Sequence, residues 1–209
     1  MDVKALTHEE IKTLQAIMYI LSFFRAKGTL ALDRVKLIKL LWAADRYHIR
    51  KYGRLILPSK YCAMRHGPVN SLAEDIAKFS DYLSDPKKQD IACFIHVIDN
   101  GVELSGNGVA NDDYEYLSDT DKEALDFAID SFGDEKTFEL ANVISHKYPE
   151  WAKYGKKITS DPKKSYIIDI LDFFNNPDDD QYFASDKETL MSSEEIFKEQ
   201  QKISQMLRG

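Results

Sequence analysis

The chain has 209 residues, 44% of them hydrophobic and 11% aromatic, which fits one globular domain with a proper core. A net charge of −7 argues against general binding to DNA or to anionic membranes, both of which call for basic patches. No apolar run reaches membrane-spanning length and no signal-peptide pattern opens the chain. Cys62 and Cys93, both in apolar surroundings, read as two buried thiols, so a soluble cytoplasmic protein is expected.

Thr7-His8-Glu9-Glu10 forms a capping box, and Ile11, Leu14, Ile17, Met18 and Leu21 follow at helical spacing to about Phe24 or Arg25. The second helix, Leu32–Gly53, organises the rest of the chain. Asp33 is its N-cap and Gly53 suits the left-handed position after its end. On a helical wheel Val35, Ile38, Trp42 and Ile49 occupy one side of a broad apolar arc, and Leu37, Leu41 and Ala44 the other. That arc is wider than the roughly 100° stripe of a surface helix, so neighbours are expected on two sides. Lys36, Lys39, Arg46 and Arg50 fall opposite, as a basic stripe expected to face solvent. Asp45 interrupts the apolar arc, with His48 one turn on. A buried carboxylate is costly unless hydrogen-bonded, so Asp45 is expected to pin a loop, with the 61–68 segment or His48 as its partner.

Leu55-Ile56-Leu57 stops at Pro58 as a short irregular piece, and Gly67-Pro68 is a turn. A third helix is expected from Val69 to about Tyr82, and Asp85-Pro86-Lys87-Lys88 reads as a loop. Residues 91–98 and 102–105, joined through Asp99-Asn100-Gly101, give the one good β-hairpin signal. Residues 106–116 read as loop. Ser118 caps a helix to about Ser131 that Gly133 ends, and Thr137 starts another, Phe138 to about His146. Asp161-Pro162 is expected to open a helix over 163–174. Asn175–Lys187 is acidic and aperiodic, and Ser192-Ser193-Glu194-Glu195 caps a final amphipathic helix to about Leu207. The expected fold class is therefore mainly α within α+β: one compact helical domain over 1–175 with a small two-stranded antiparallel hairpin. An acidic linker over 176–190 and a C-terminal helix over 191–209 follow, the helix free to wrap a partner, pack on its own domain or swap between protomers.

Motifs for chemistry are scarce. His8, His48, His66, His96 and His146 show no metal-ligand spacing, and no phosphate-binding or dinucleotide fingerprint occurs, so no metal and no cofactor are expected. Cys62 with His66, or Asp45 with His48, would be the pairs of a hydrolase-like enzyme. Structural roles for both are the plainer reading, and no catalytic residue is assigned. Arg65-His66-Gly67-Pro68-Val69 combines a rigid turn with exposed donors, either a helix entry or a recognition loop.

The order of these segments resembles the SocA-like, or Panacea, antitoxin domain family. Leu37–Asp45 matches its K-L-x-K-L-L-Y-x-A-D pattern, Tyr52-Gly53-Arg54-Leu55 its Y-G stretch, and Tyr61–Val69 its A-x-x-x-G-P-V segment. Residues 117–133 and 140–155, the latter with Ser145-His146 and a Pro149/Trp151 end, complete the likeness over about residues 10–156. Trp42 stands where the family commonly has Tyr, and Ile56-Leu57 replaces Pro-Leu. The resemblance implies a helical, non-enzymatic domain that neutralises a co-encoded toxin by binding it. The family includes phage-associated members and an adaptor that hands its toxin to a Clp-type protease. The partner implied is thus a cognate toxin, with a Clp-type protease as the alternative. Tyr61, Arg65, His66, Gly67 and Pro68 are the residues expected at the partner face, together with nearby basic residues of the central helix.

Overall fold

A computed structural model describes residues 3–110 and 113–207. Residues 1–2, 111–112 and 208–209, which fall in the expected domain start, the 106–116 loop and the end of the last helix, lie outside the described residues. Helix α1 (His8–Ala26) begins at the Thr7/Glu10 capping box. Strand β1 (Ala31–Asp33) runs directly into α2 (Arg34–Tyr52), because Asp33 ends the strand and caps the helix through Lys36 N. α2 is the axis of the molecule. Leu37, Leu40, Leu41, Trp42, Ala43 and Ala44 are all buried. Around it pack α1, α6 (Asp119–Phe132) and α9 (Lys187–Met206). Gly53 ends α2 at φ 69°, and α9 crosses there so closely that a Cβ would sit 2.6 Å from Ser193 O. Only glycine meets both demands.

The described residues form two three-stranded antiparallel sheets. In the first, β4 (Ile95–Ile98) and β5 (Gly101–Leu104) form the expected hairpin, and β1 adds to β5 with Leu32 opposite Val102. Gly101 pairs with Ile98, so the two-residue turn is Asp99-Asn100, with Asp99 at φ 48°. In the second, β2 (Tyr61–Met64) lies between β3 (Gly67–Asn70) and the two-residue β6 (Tyr166–Ile167). The chain is mainly helical with a small antiparallel component, and the sheets are three-stranded because short distant segments join each hairpin.

Several local expectations need correction. The third helix is short: β3 occupies 67–70, Asn70 caps α3 (Ser71–Ala77), and Phe79 follows at positive φ. The supposed loop at 85–88 opens α4 (Asp85–Ala92), where Pro86 sits in the first turn and forfeits no hydrogen bond. Gly106–Ala110, read as loop, is a short helix, α5. The segment from Thr137 is helical to Lys147, as one α turn (α7, Thr137–Glu139), a π turn and a 3-10 turn. Asp161-Pro162 follows a helix instead of opening one: α8 spans Pro149–Ser160, and 163–174 holds β6 and a 3-10 turn, Ile170–Phe174. α9 starts at Lys187, capped by Asp186, five residues before Ser192. Cys93 is exposed and Cys62 half-buried, so neither thiol is a core group.

The basic stripe is the largest correction. Lys39, Arg46 and Arg50 are each no more than 1% exposed, and Lys36 is half-buried. The stretch expected as a tether lacks regular structure up to Asp186, yet it covers Arg46 and Arg50. Its Phe183 is buried against Trp42, Phe127, Phe132 and Tyr148. Among the described residues, no helix is long and apolar enough to cross a membrane.

Candidate functional site

The charged residues of α2 grip the rest of the molecule from inside. Asp45 Oδ1 accepts from Ile56 N (2.6 Å) and Leu57 N (3.2 Å), and Oδ2 accepts from the Tyr61 hydroxyl (2.6 Å). Burial pushes the Asp45 carboxyl up to about 7, against the pull of these donors. The three bonds fix the chain from Ile56 into β2. Lys39 Nζ then donates to Pro68 O (2.6 Å), holding β3 against the same helix. Burial pushes the Lys39 ammonium down to about 7, while Glu74 pulls it back.

The tip of the β2–β3 hairpin is held from the other side by the helical run 137–147 and by α8. Trp151 Nε1 donates to Met64 O (2.7 Å), and His66 Nδ1 donates to Asn142 Oδ1 (2.9 Å). Gly67 has φ 96°, and a Cβ there would collide with Ser145 Oγ and reach within 2.9 Å of Lys39 Cε. The His146 ring stacks on Trp151, with centroids 3.4 Å apart and planes 2° from parallel. Burial, with Lys39 and His66 nearby, holds His146 down at about 4, so its ring is neutral at pH 7. The segments that carry the sequence likeness, Leu37–Asp45, Tyr61–Val69 and Ser145–Trp151, therefore converge on one clamped hairpin.

The five residues expected at a partner face divide. Arg65 and His66 are exposed, whereas Tyr61, Gly67 and Pro68 are buried and belong to the clamp. The nearby basic residues of α2 face inward, since each finds a main-chain carbonyl there. What sequence reasoning missed are the apolar neighbours of the tip. Met64 is 40% exposed and Ile167, opposite Cys62 in the sheet, 67%. Phe138 is 71% exposed and lies one helical turn from Asn142, whose Nδ2 donates to Phe138 O. Only Met64 carried a signal, as the alternate residue to the inward Ala63 on a strand.

Neither proposed catalytic pair is joined by a hydrogen bond. The Cys62 sulfur lies 4.0 Å from Ser71 Oγ, while His66 turns to Asn142. Asp45 bonds to Tyr61, while His48 bonds to the Arg54 carbonyl (2.8 Å) and the Thr120 hydroxyl (3.0 Å). A carbonyl can only accept, so Nδ1 of His48 carries the proton and Nε2 accepts. Burial keeps that ring neutral, at about 4. Among the described residues, no cluster of three His, Cys, Asp or Glu side chains is placed to hold a metal ion.

On the far side of α2, Arg46 pairs with Glu150 (2.7 Å), which also accepts from Trp42 Nε1 (2.9 Å). All three side chains are buried. Arg46 reaches on to Asn175 O, and its guanidinium lies over the Tyr148 ring. Arg50 donates to Phe173 O, Phe183 O and Asn176 Oδ1.

Fold and site together define a helical scaffold that clamps a β-hairpin from beneath and leaves its tip in solvent. Residues 37–152, more than half of the chain, match the family model for the antitoxin SocA-like, Panacea domain. The chain belongs to this antitoxin domain family. No curated protein and no solved structure matches it. The matched region runs from α2 into the first turn of α8 and contains the whole clamp, whereas β6 and α9 lie beyond it.

Proposed function

We propose that the chain is an antitoxin that neutralises a co-encoded toxin by direct binding, without enzymatic turnover, and that Met64, Arg65, His66 and Phe138 form the binding face. The observation that carries this reading is the clamped hairpin tip. Its backbone is tied at Met64 and Pro68 and its His66 ring at Asn142, so little conformational freedom remains to be lost on association. Arg and aromatic side chains at such a position are the types that dominate interface energies. Family membership supports a toxin as partner. The chain's net charge of −7 would speed its encounter with a basic toxin.

The test is co-expression with the toxin from the neighbouring reading frame. The wild-type chain restores growth. Arg65→Ala, His66→Ala and Phe138→Ala weaken rescue while leaving the melting temperature nearly unchanged. Toxin level, followed by immunoblot, separates two mechanisms: restored growth at undiminished toxin supports direct neutralisation, and toxin depletion points to delivery to a Clp-type protease. Full rescue by all three variants would move the face elsewhere, with α9 the next candidate.

A further inference from the structure

Beside the hairpin tip lies a cleft of about 140 Å³. Its floor is the first two turns of α2, Val35, Ile38 and Lys39, and its walls include Met64 and Val69. Lys39 is the unusual element. It is 1% exposed, it has up to three N–H donors, and among the described residues Pro68 O is its one hydrogen-bond acceptor. A buried ammonium is either paired with an anion or gives up its proton, and burial already holds Lys39 at about 7, so a carboxylate arriving beside it would restore the charge. Among the described residues Lys39 makes no ion pair. Glu74, which also lines the cleft, acts on it through space and is itself 4.0 Å from Lys78. The rim adds Arg65, His66, Lys163 and Lys164. On a chain of net charge −7, this is a local reversal of sign set over an apolar floor.

We propose that this cleft receives an acidic side chain of the partner protein, its carboxylate taking the free Lys39 donors and its aliphatic stem packing on Val35, Ile38 and Val69. The inference rests on the hairpin tip being the partner face, and it names the chemistry the partner presents there. A carboxylate on a short aliphatic stem matches both the volume and the apolar walls. A free inorganic anion would leave those walls wet. One buried charge pair in an otherwise apolar cleft fixes register, because a neutral or basic group in its place would leave Lys39 unmatched.

The probe is isovalerate, a branched aliphatic carboxylate, titrated into the isotopically labelled full chain and followed through the methyl resonances of Val35, Met64 and Val69. Saturable shifts are expected, with isovaleramide weaker by about tenfold, the scale of one charge-assisted contact. Inorganic phosphate is expected not to compete. Lys39→Met should abolish the preference for the acid over the amide. Val35→Phe fills the cleft while leaving Lys39 and Pro68 in place. It should block both ligands and weaken toxin rescue without lowering the melting temperature. Equal binding of acid and amide, competition by phosphate, or no saturation would each overturn the proposal. If Arg65→Ala loses rescue but isovalerate shows no preference, the face stands and the acidic ligand falls. If isovalerate binds as described yet Arg65→Ala and Val35→Phe rescue fully, the partner is not the occupant.

Discussion

Two regions of the molecule are built on buried basic side chains of the same helix, and they end in opposite states. On the side of the C-terminal segment, Arg50 makes five hydrogen bonds and Arg46 two, one of them to a buried carboxylate, among the described residues. A carboxylate, three main-chain carbonyls and an amide oxygen accept these bonds. On the hairpin side, Lys39 has one acceptor, and the tip it supports turns Arg65 and His66 into solvent. The contrast separates scaffold from working surface. A buried charge matched by a carboxylate or by several carbonyls holds the fold together, whereas one resting on a single carbonyl beside an open cleft is poised for something from outside.

The buried groups on both sides should be far more sensitive to mutation than the exposed tip, and the far side the most. Glu150→Ala should be the most damaging change, at about 3–5 kcal/mol in denaturant unfolding, because Arg46 is left charged and buried without its carboxylate. A loss under about 1 kcal/mol would mean that Arg46 is solvated in some other way, and the contrast would fail. Asp45→Ala comes next, at about 2–4 kcal/mol, since the Ile56 and Leu57 amides and the Tyr61 hydroxyl lose their acceptor together. Asp45→Asn keeps an acceptor for the two amides and should cost visibly less in the same experiment. Equal losses would show that the charge, and not the hydrogen bonding, is what the site requires.

A third prediction concerns pH. His48 sits at about 4 in the folded chain against 6.5 when unfolded. Between these values the unfolded state takes up the proton first, so the contribution is complete above 6.5 and is lost as pH falls towards 4. The stability gap between wild type and His48→Gln, measured at pH 7 and pH 4, should shift by roughly 3 kcal/mol at the expense of wild type. No change in that gap would mean that His48 is charged, paired with Asp121 at 3.4 Å. The smallest effects on stability belong to the tip. Arg65→Ala and His66→Ala should stay within about 0.5 kcal/mol of wild type in thermal melts. A larger loss would make the tip part of the scaffold and erase the distinction between the two regions.

How much of this was legible in the sequence depends on distance along the chain. The starts of α1, α2 and α6 were, because Thr7 with Glu10, Asp33 with Lys36, and Ser118 with Asp121 are contacts three residues apart. Gly53 was equally plain, and so was the β4–β5 hairpin, whose strands lie on either side of a tight turn. Proline misled twice. Pro86 read as a loop breaker but sits in a first turn, and Pro162 read as a first turn but follows the end of α8. A proline fits both places, and the neighbouring residues do not distinguish them. The third strands, β1 and β6, are two or three residues long, too short to show a period, and each pairs with a strand far away in the chain.

By itself the sequence determined the helical class, the family, the axial role of α2 and the need of Asp45 for a fixed partner. Only the tertiary structure decided which charges face inward. Lys36, Lys39, Arg46 and Arg50 lie on the polar side of a helical wheel, and in an isolated helix that side would meet water. Here it meets the carbonyls of Gly133, Pro68, Asn175 and Phe173, brought from 29 to 129 residues away. Every residue carries a main-chain carbonyl, so an acceptor of that kind leaves no mark in the sequence, and the burial of a cation upon it becomes visible only when the chain is folded.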